Sequence, residues 1–226
     1  MRWLALLLAL GGCDLVFEIN TPGVPDEITF VQTFARAADG FNRAAVPFLN
    51  PTQAGSLIIV GVDWTATDVD ITKVSDSQGN ALVPVGDAVA NGALTAQLFY
   101  AADTAGGAEV VDVELSGIAD SFEIYLHEYA GVATRDPFDQ VAVNVGNGGG
   151  PVDSGMATLD SPGELLFAYA VDGSVTPGEG FTARSTFHNN LTQDRISGVP
   201  GPYTATATVS SGFTFITAGF RAATKR

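Results

Sequence analysis

One cysteine, Cys13, occurs in 226 residues, so no disulfide can form within the chain and the fold must stand on its core alone. Histidine is nearly as scarce. His127 and His188 are the two present, and neither lies in an H-E-x-x-H motif or at ligand spacing from another His or Cys. Positive charge is short as well: 10 Lys and Arg stand against 25 Asp and Glu, a net charge of −15. A chain so acidic is repelled by nucleic acid and by anionic lipid surfaces, whose binders carry basic patches. No G-x-S-x-G nucleophile elbow occurs. The glycine-rich stretch N-V-G-N-G-G-G-P-V-D-S-G (residues 144–155) lacks the Gly-Lys-Ser/Thr ending of a phosphate loop and reads as a flexible connector. Helical periodicity with a capping residue in front is missing throughout. The apolar stretch at residues 3–10 is too short to cross a bilayer core, which takes about 20 helical residues.

That short stretch has another use. Arg2 precedes it as a positive n-region, and Leu10-Gly11-Gly12-Cys13 follows. The order resembles the lipobox of bacterial lipoproteins, with an ordinary signal peptide and a chance cysteine as the alternative. The resemblance implies that residues 1–12 are a signal peptide. Cys13 would then carry diacylglycerol as the first mature residue, and residues 13–27 would form a short tether. Two or three acyl chains would anchor the protein stably in a membrane of the cell envelope. Asp14 resembles an inner-membrane retention signal of enteric bacteria, which leaves inner and outer membrane both open.

What fills the rest is short β-rich runs bounded by Gly, Pro, Asn and Asp. Strands are expected at residues 28–35, 44–49, 56–64, 71–75, 94–101, 109–115, 122–129 and 140–145. Further strands are expected at 155–159, 164–171, 182–187, 192–197, 203–209 and 213–220. V-V-D-V-E-L and Y-T-A-T-A-T-V alternate as half-buried antiparallel strands do. S-L-I-I-V-G-V and E-L-L-F-A-Y-A-V are continuously apolar, which suits strands covered on both faces.

Three segments recur in order. Residues 50–64 echo 159–173, 94–100 echo 191–197, and 110–130 echo 204–222. Two diverged β-meanders of roughly 70–80 residues, joined by residues 131–154, account for this better than a solenoid, which needs more and shorter units. Chance likeness between β-rich segments is the alternative. The expectation is a single all-β domain over residues 28–223: an antiparallel β-sandwich built from the two halves. The segments G-S-L-I-I-V-G-V-D-W (55–64), V-S-D-S-Q-G-N (74–80), Y-A-A-D-T-A-G-G (100–107), V-E-L-S-G (113–117), E-Y-A-G-V (128–132) and P-F-D (137–139) carry a second resemblance. Together they resemble an uncharacterised β-sandwich domain of exported and surface proteins of bacteria. That domain often accompanies adhesive modules, and the resemblance implies a jelly-roll-like sandwich and brings no catalytic residues.

Candidate sites follow from residue type. F-E-I-Y-L-H-E-Y (122–129) places Tyr125, His127 and Tyr129 on one strand face. If exposed, that row with Trp64 would stack sugar rings. The repeat sets Ile216, Ala218 and Phe220 opposite those three, which makes this equally a core face with Glu128 on the solvent side. Asp76 and Asn80 in the 74–80 turn, with Asp63, Asp68 or Asp70, are candidates for a calcium or sugar-hydroxyl loop, against a plain hairpin turn. The strand acids Asp112, Glu114 and Glu123 read as solvent-side. The sequence therefore points to a non-enzymatic, lipid-anchored binding or adhesion module of the bacterial envelope, with a glycan as ligand and no cofactor apart from candidate calcium. The alternatives are a structural lipoprotein contacting another envelope protein, and a glycoside hydrolase working through paired carboxylates.

Overall fold

The structure, a computed structural model, describes residues 27–171 and 173–224. The signal-like segment, Cys13 and the tether as far as residue 26 lie outside the described residues. The first repeat contains β1 (Thr29–Ala37), β2 (Arg43–Pro47), β3 (Leu57–Thr65), β4 (Ile71–Asp76), β5 (Val83–Asn91), β6 (Leu94–Ala101), β7 (Val110–Leu115) and β8 (Ser121–Ala130). The second contains β9 (Phe138–Gly146), β10 (Gly150–Leu159), β11 (Leu165–Val171), β12 (Ser174–Pro177), β13 (Thr182–Ser185), β14 (Leu191–Ile196), β15 (Gly201–Val209) and β16 (Phe213–Phe220). A single 3-10 turn, Phe187–Asn189, interrupts the strands.

Every strand pairing is antiparallel, and the wiring repeats. The first repeat forms the sheets β1-β8-β3-β6-β5 and β2-β7-β4. The second forms β9-β16-β11-β14-β13 and β10-β15-β12, the same order with eight added to each label. In each repeat the chain wraps from sheet to sheet in jelly-roll fashion. The duplication read from the sequence is thus present in the topology. The three echoes fall on β3 and β11, on β6 and β14, and on β7–β8 and β15–β16. Each repeat supplies both sheets of its own sandwich, and the two five-stranded sheets then pack against each other.

Three cores result. Ile58, Val60, Val62 and Trp64 of β3 meet Val46, Val111 and Val113 between the sheets of the first repeat. Leu166, Ala168 and Ala170 of β11 meet Ala205, Ala207 and Val209 in the second. The other faces of the same strands, Leu57 and Ile59 with Leu165, Phe167, Tyr169 and Val171, join across the two repeats. β3 and β11 are therefore buried on both faces, which is why their sequences are unbroken apolar runs. Gly61 lets the repeats approach: a Cβ there would stand 3.3 Å from the Tyr169 ring.

Two strands were not expected, β5 and β12. Both are edge strands, interrupted by Pro84 and Pro177 and by register shifts, and edge strands are where proline and bulges belong. Residues 144–155 are not a connector between the halves. They close the β9–β10 hairpin inside the second repeat, and the repeats are joined by residues 131–137.

Glu128 is a further correction. It is fully buried, not solvent-side. Its Oε1 accepts from the Gln53 backbone N–H at 2.6 Å and the Ser56 hydroxyl at 2.9 Å, and its Oε2 from Gln32 Nε2 at 2.7 Å. In the second repeat the position equivalent to Glu128 is Gly219, since each pairs with the second residue of its central strand. The carboxylate there comes from Glu164 instead, whose Oε1 accepts from the Ser161 N–H at 2.7 Å. Ser161 is the counterpart of Gln53. A buried carboxylate ties the same loop to the core in both halves, from β8 in one and from the residue before β11 in the other, so these two acids are structural.

Candidate functional site

The residues expected to form an aromatic platform are covered. Tyr125, His127 and Tyr129 lie between the two five-stranded sheets, at 0%, 0% and 1% exposure. The face read as either platform or core is core. Tyr129 donates to Asp194 at 2.6 Å, and Arg184 grips the same carboxylate at 2.7 and 2.9 Å. His127 Nε2 lies 2.8 Å from the Thr192 hydroxyl, and its ring packs edge-on to Phe167. Burial, with a smaller push from Arg184, lowers its pKa to about 3, so it stays neutral at all ordinary pH. Trp64 is buried in the first repeat's core and donates to the Val69 carbonyl at 2.8 Å.

Asp76 binds its own turn. Its Oδ1 accepts from the Gln78 N–H at 3.1 Å and the Asn80 N–H at 2.9 Å, and its Oδ2 from Asn80 Nδ2 at 2.6 Å. This is a side-chain-closed turn, but not the hairpin turn expected, since β4 and β5 belong to different sheets. Asp68 has left-handed backbone, φ 57°, and the Asp70 N–H donates to Ser116 Oγ at 3.0 Å. Among the described residues no group of three or more His, Cys, Asp and Glu is placed to hold a metal ion.

A different set of groups converges. Asp63 near the end of β3 and Glu123 near the start of β8 are direct partners across the antiparallel pair. Strand alternation points both toward the second repeat, on the face that carries Leu57, Ile59 and Tyr125. They are 2% and 5% exposed. Two like charges directly opposite each other repel, so the arrangement stands because polar groups of the second repeat close over it. Tyr169 of β11 donates to Asp63, and Tyr125 donates to Glu123 Oε2 with the Phe187 carbonyl also in reach at 2.9 Å. Asn190 Nδ2 bridges the acids, 3.3 Å from Asp63 Oδ1 and 3.1 Å from Glu123 Oε2. His188 Nδ1 stands 2.9 Å from Glu123 Oε1.

The turn between β13 and β14 makes this possible. His188 and Asn189 both take left-handed backbone, φ 48° and 64°, a conformation costly for residues other than glycine. His188 stacks flat on Phe187 with ring centroids 4.0 Å apart, and Asn190 is thereby turned inward. Above the acids opens a cleft of about 520 Å³ between the repeats, edged by Thr65, Ser121 and Ser210, with Leu94 and Val171 as apolar wall. The His188 side chain is 49% exposed and forms part of that wall.

Electrostatics divide the labour. Burial, then the charge of Glu123, raises the Asp63 carboxyl well above the usual carboxylate range. Asp63 is therefore the acid of the pair pushed toward its protonated form. Burial and the neighbouring acid also raise Tyr169 and Tyr125, so both phenols remain donors. The site offers donors and acceptors side by side, without a lysine or arginine among the described residues of its lining.

Sequence reasoning missed this site. The sequence places Glu123 on a solvent face, and the residues around Asn190 carry no motif. The acids are 60 residues apart and the amide comes from the other repeat, so only the β3–β8 register and the docking of the two repeats bring them together. No known protein family, curated protein or solved structure matches the chain.

Proposed function

We propose that the protein is a non-enzymatic binding module of the bacterial cell envelope, lipid-anchored at Cys13, and that its ligand is a glycan held in the cleft between the repeats. One observation carries the reading: Asp63, Glu123, His188 and Asn190 converge from both repeats at the floor of an open cleft. Ligand pockets combine an apolar wall with a few convergent polar groups. Vicinal sugar hydroxyls are matched by carboxyl and carboxamide groups that accept and donate from neighbouring positions.

The test is a glycan array with the detergent-solubilised full-length chain, followed by calorimetric titration of any hit. Asn190→Ala and Glu123→Gln are expected to weaken binding about tenfold or more, equivalent to about 1.4 kcal/mol, with the fold retained by circular dichroism. A hit that both variants bind as tightly as the parent protein sinks the cleft as the site.

A second reading has its own observation. One acid of the Asp63–Glu123 pair holds a proton beside the other, which is how glycosidases arrange a general acid next to a carboxylate. Mass spectrometry of the bound glycan after prolonged incubation separates the two. Intact glycan supports binding alone, whereas cleavage that Asp63→Asn abolishes replaces it with hydrolysis. A blank array favours the structural lipoprotein, for which Phe41 and Ile118 offer exposed apolar side chains on adjoining turns.

A further inference from the structure

A second polar centre lies in the first repeat, built from residues that the cleft does not use. Three loops meet there: residues 48–56 after β2, the turn after β4, and residues 102–109 after β6. Their backbones satisfy each other. Thr52 and Gly107 exchange N–H···O bonds at 2.8 and 2.9 Å, and the Gly55 N–H donates to Thr104 at 2.8 Å. The Ala105 N–H donates to Asn80 Oδ1 at 2.8 Å, and Gln78 Nε2 to the Ala108 carbonyl at 2.6 Å. Gly106, with φ 73°, crosses so close to the first loop that a Cβ would stand 2.6 Å from the Ala54 nitrogen. These loops are fixed.

Glu109 sits at the junction, 2% exposed. Its Oε2 accepts from the Thr52 hydroxyl at 2.9 Å, but its buried Oε1 makes no hydrogen bond. The Asp76 carboxylate stands within hydrogen-bonding reach of Glu109, a contact that two acids hold only around a shared proton or a cation. A buried carboxylate oxygen with no donor is costly and calls for an explanation such as an ion.

We propose that Glu109 and Asp76 form a calcium site, with Glu109 Oε1 as the ligand that the loop junction presents to the ion. The donor set is oxygen alone, without imidazole or thiolate, which selects hard cations over transition metals. Carboxylates drawn from two separate segments give the irregular oxygen geometry that calcium tolerates and magnesium does not. With two carboxylates, affinity belongs in the range of extracellular calcium modules, about 10⁻⁴–10⁻³ M. A shared proton is the competitor. Burial first, and then Asp76, raise Glu109 to a pKa of about 7, so proton and ion compete near neutrality. This inference is independent of the glycan reading, because neither Glu109 nor Asp76 lines the cleft.

The experiment is thermal melting and calorimetry of the full-length chain at pH 7.5 after chelator treatment, titrated with calcium chloride and, separately, magnesium chloride. A saturable rise in Tm of several degrees is expected with calcium, and a smaller one with magnesium. Below pH 7 the apparent calcium affinity should fall toward tenfold per pH unit, as one proton is displaced per ion. Glu109→Gln should abolish the response while leaving the ion-free Tm equal or higher, since it removes a buried charge. No heat and no Tm shift at about 10 mM calcium, well above the expected range, would mean that a shared proton holds the pair. A calcium response that survives in Glu109→Gln would place the ion elsewhere. Either result overturns the proposal.

Discussion

Trp64→Ala is expected to cost about 3–5 kcal/mol of folding stability, the range for removing a large buried aromatic. Trp64 has no exposed surface and packs in the cluster formed by Val60, Val62, Val113 and Phe122. Two losses add. The indole leaves a cavity in a core closed on one side by the three-stranded sheet and on the other by β3 and β8. Its Nε1–H also leaves the Val69 carbonyl without the bond that fixes residues 66–70 against the strand end. Urea denaturation followed by circular dichroism measures the effect. With a slope of about 2–3 kcal/mol per molar for a chain of this size, the midpoint should fall by roughly 1–2 M. Trp64→Phe refills most of the volume and should cost about half as much, the remainder being the orphaned carbonyl. A Trp64→Ala midpoint within about 0.2 M of the parent, or about 0.5 kcal/mol, would mean that the first repeat's core is not as described. The same reasoning disqualifies Trp64 and Tyr125 as probes of ligand binding: a glycan lost on truncating either would report unfolding, not contact. Asn190 and Glu123 are the informative positions.

The strand periodicities in the sequence were sound, and what they could not convey was how many layers cover a face. F-E-I-Y-L-H-E-Y alternates as expected: Phe122, Ile124, Leu126 and Glu128 share one face, and Glu123, Tyr125, His127 and Tyr129 the other. A polar residue on each face suggested that one of them met water. In the structure β8 lies inside a five-stranded sheet sandwiched between two others, so both faces are interior and Glu123, His127 and Glu128 are held by partners far away in sequence. The echo between residues 50–64 and 159–173 was legible because β3 and β11 face the same two environments and need the same unbroken apolar run. β5 and β12 were illegible because an edge strand tolerates Pro, Gly and bulges that argue against a strand anywhere else. The cleft was illegible for a further reason. Its acids are ordinary strand residues until the β3–β8 register sets them opposite each other, and its amide depends on two left-handed residues that no local pattern announces.

Stability should fall, not rise, as the solution is made alkaline, and the cause is buried carboxyls. Burial is the leading influence that raises Glu109 and Glu164 to about 7, from about 4.5 in the unfolded chain, and it lifts Asp63 well above its usual range. A carboxyl raised in the folded state binds its proton more tightly there than when unfolded. Glu109 and Glu164 therefore each weaken the fold progressively as pH climbs from about 4.5 through 7, and their loss is complete above that, while Asp63 acts in the same direction. His127 acts in the other direction. Its folded pKa of about 3 lies below the unfolded value of about 6.5, so stability is lost as pH drops through that window. Between about pH 4.5 and 6.5 three carboxyls oppose one histidine, and above 6.5 the carboxyls act alone. The net expectation is a stability maximum at about pH 4.5, a few kcal/mol above the value at pH 8.5. For a chain of this length that is a Tm difference of roughly 5–10 °C. Melting must be followed in chelator, because a bound calcium ion would hold Glu109 ionised and mask part of the slope. Glu109→Gln combined with Glu164→Gln should flatten the alkaline limb, leaving the acid limb set by His127. If the parent protein instead gains stability steadily from pH 5 to 8.5, these carboxyls are not protonated in the fold, and the proton assigned to Asp63 in the cleft loses its support as well.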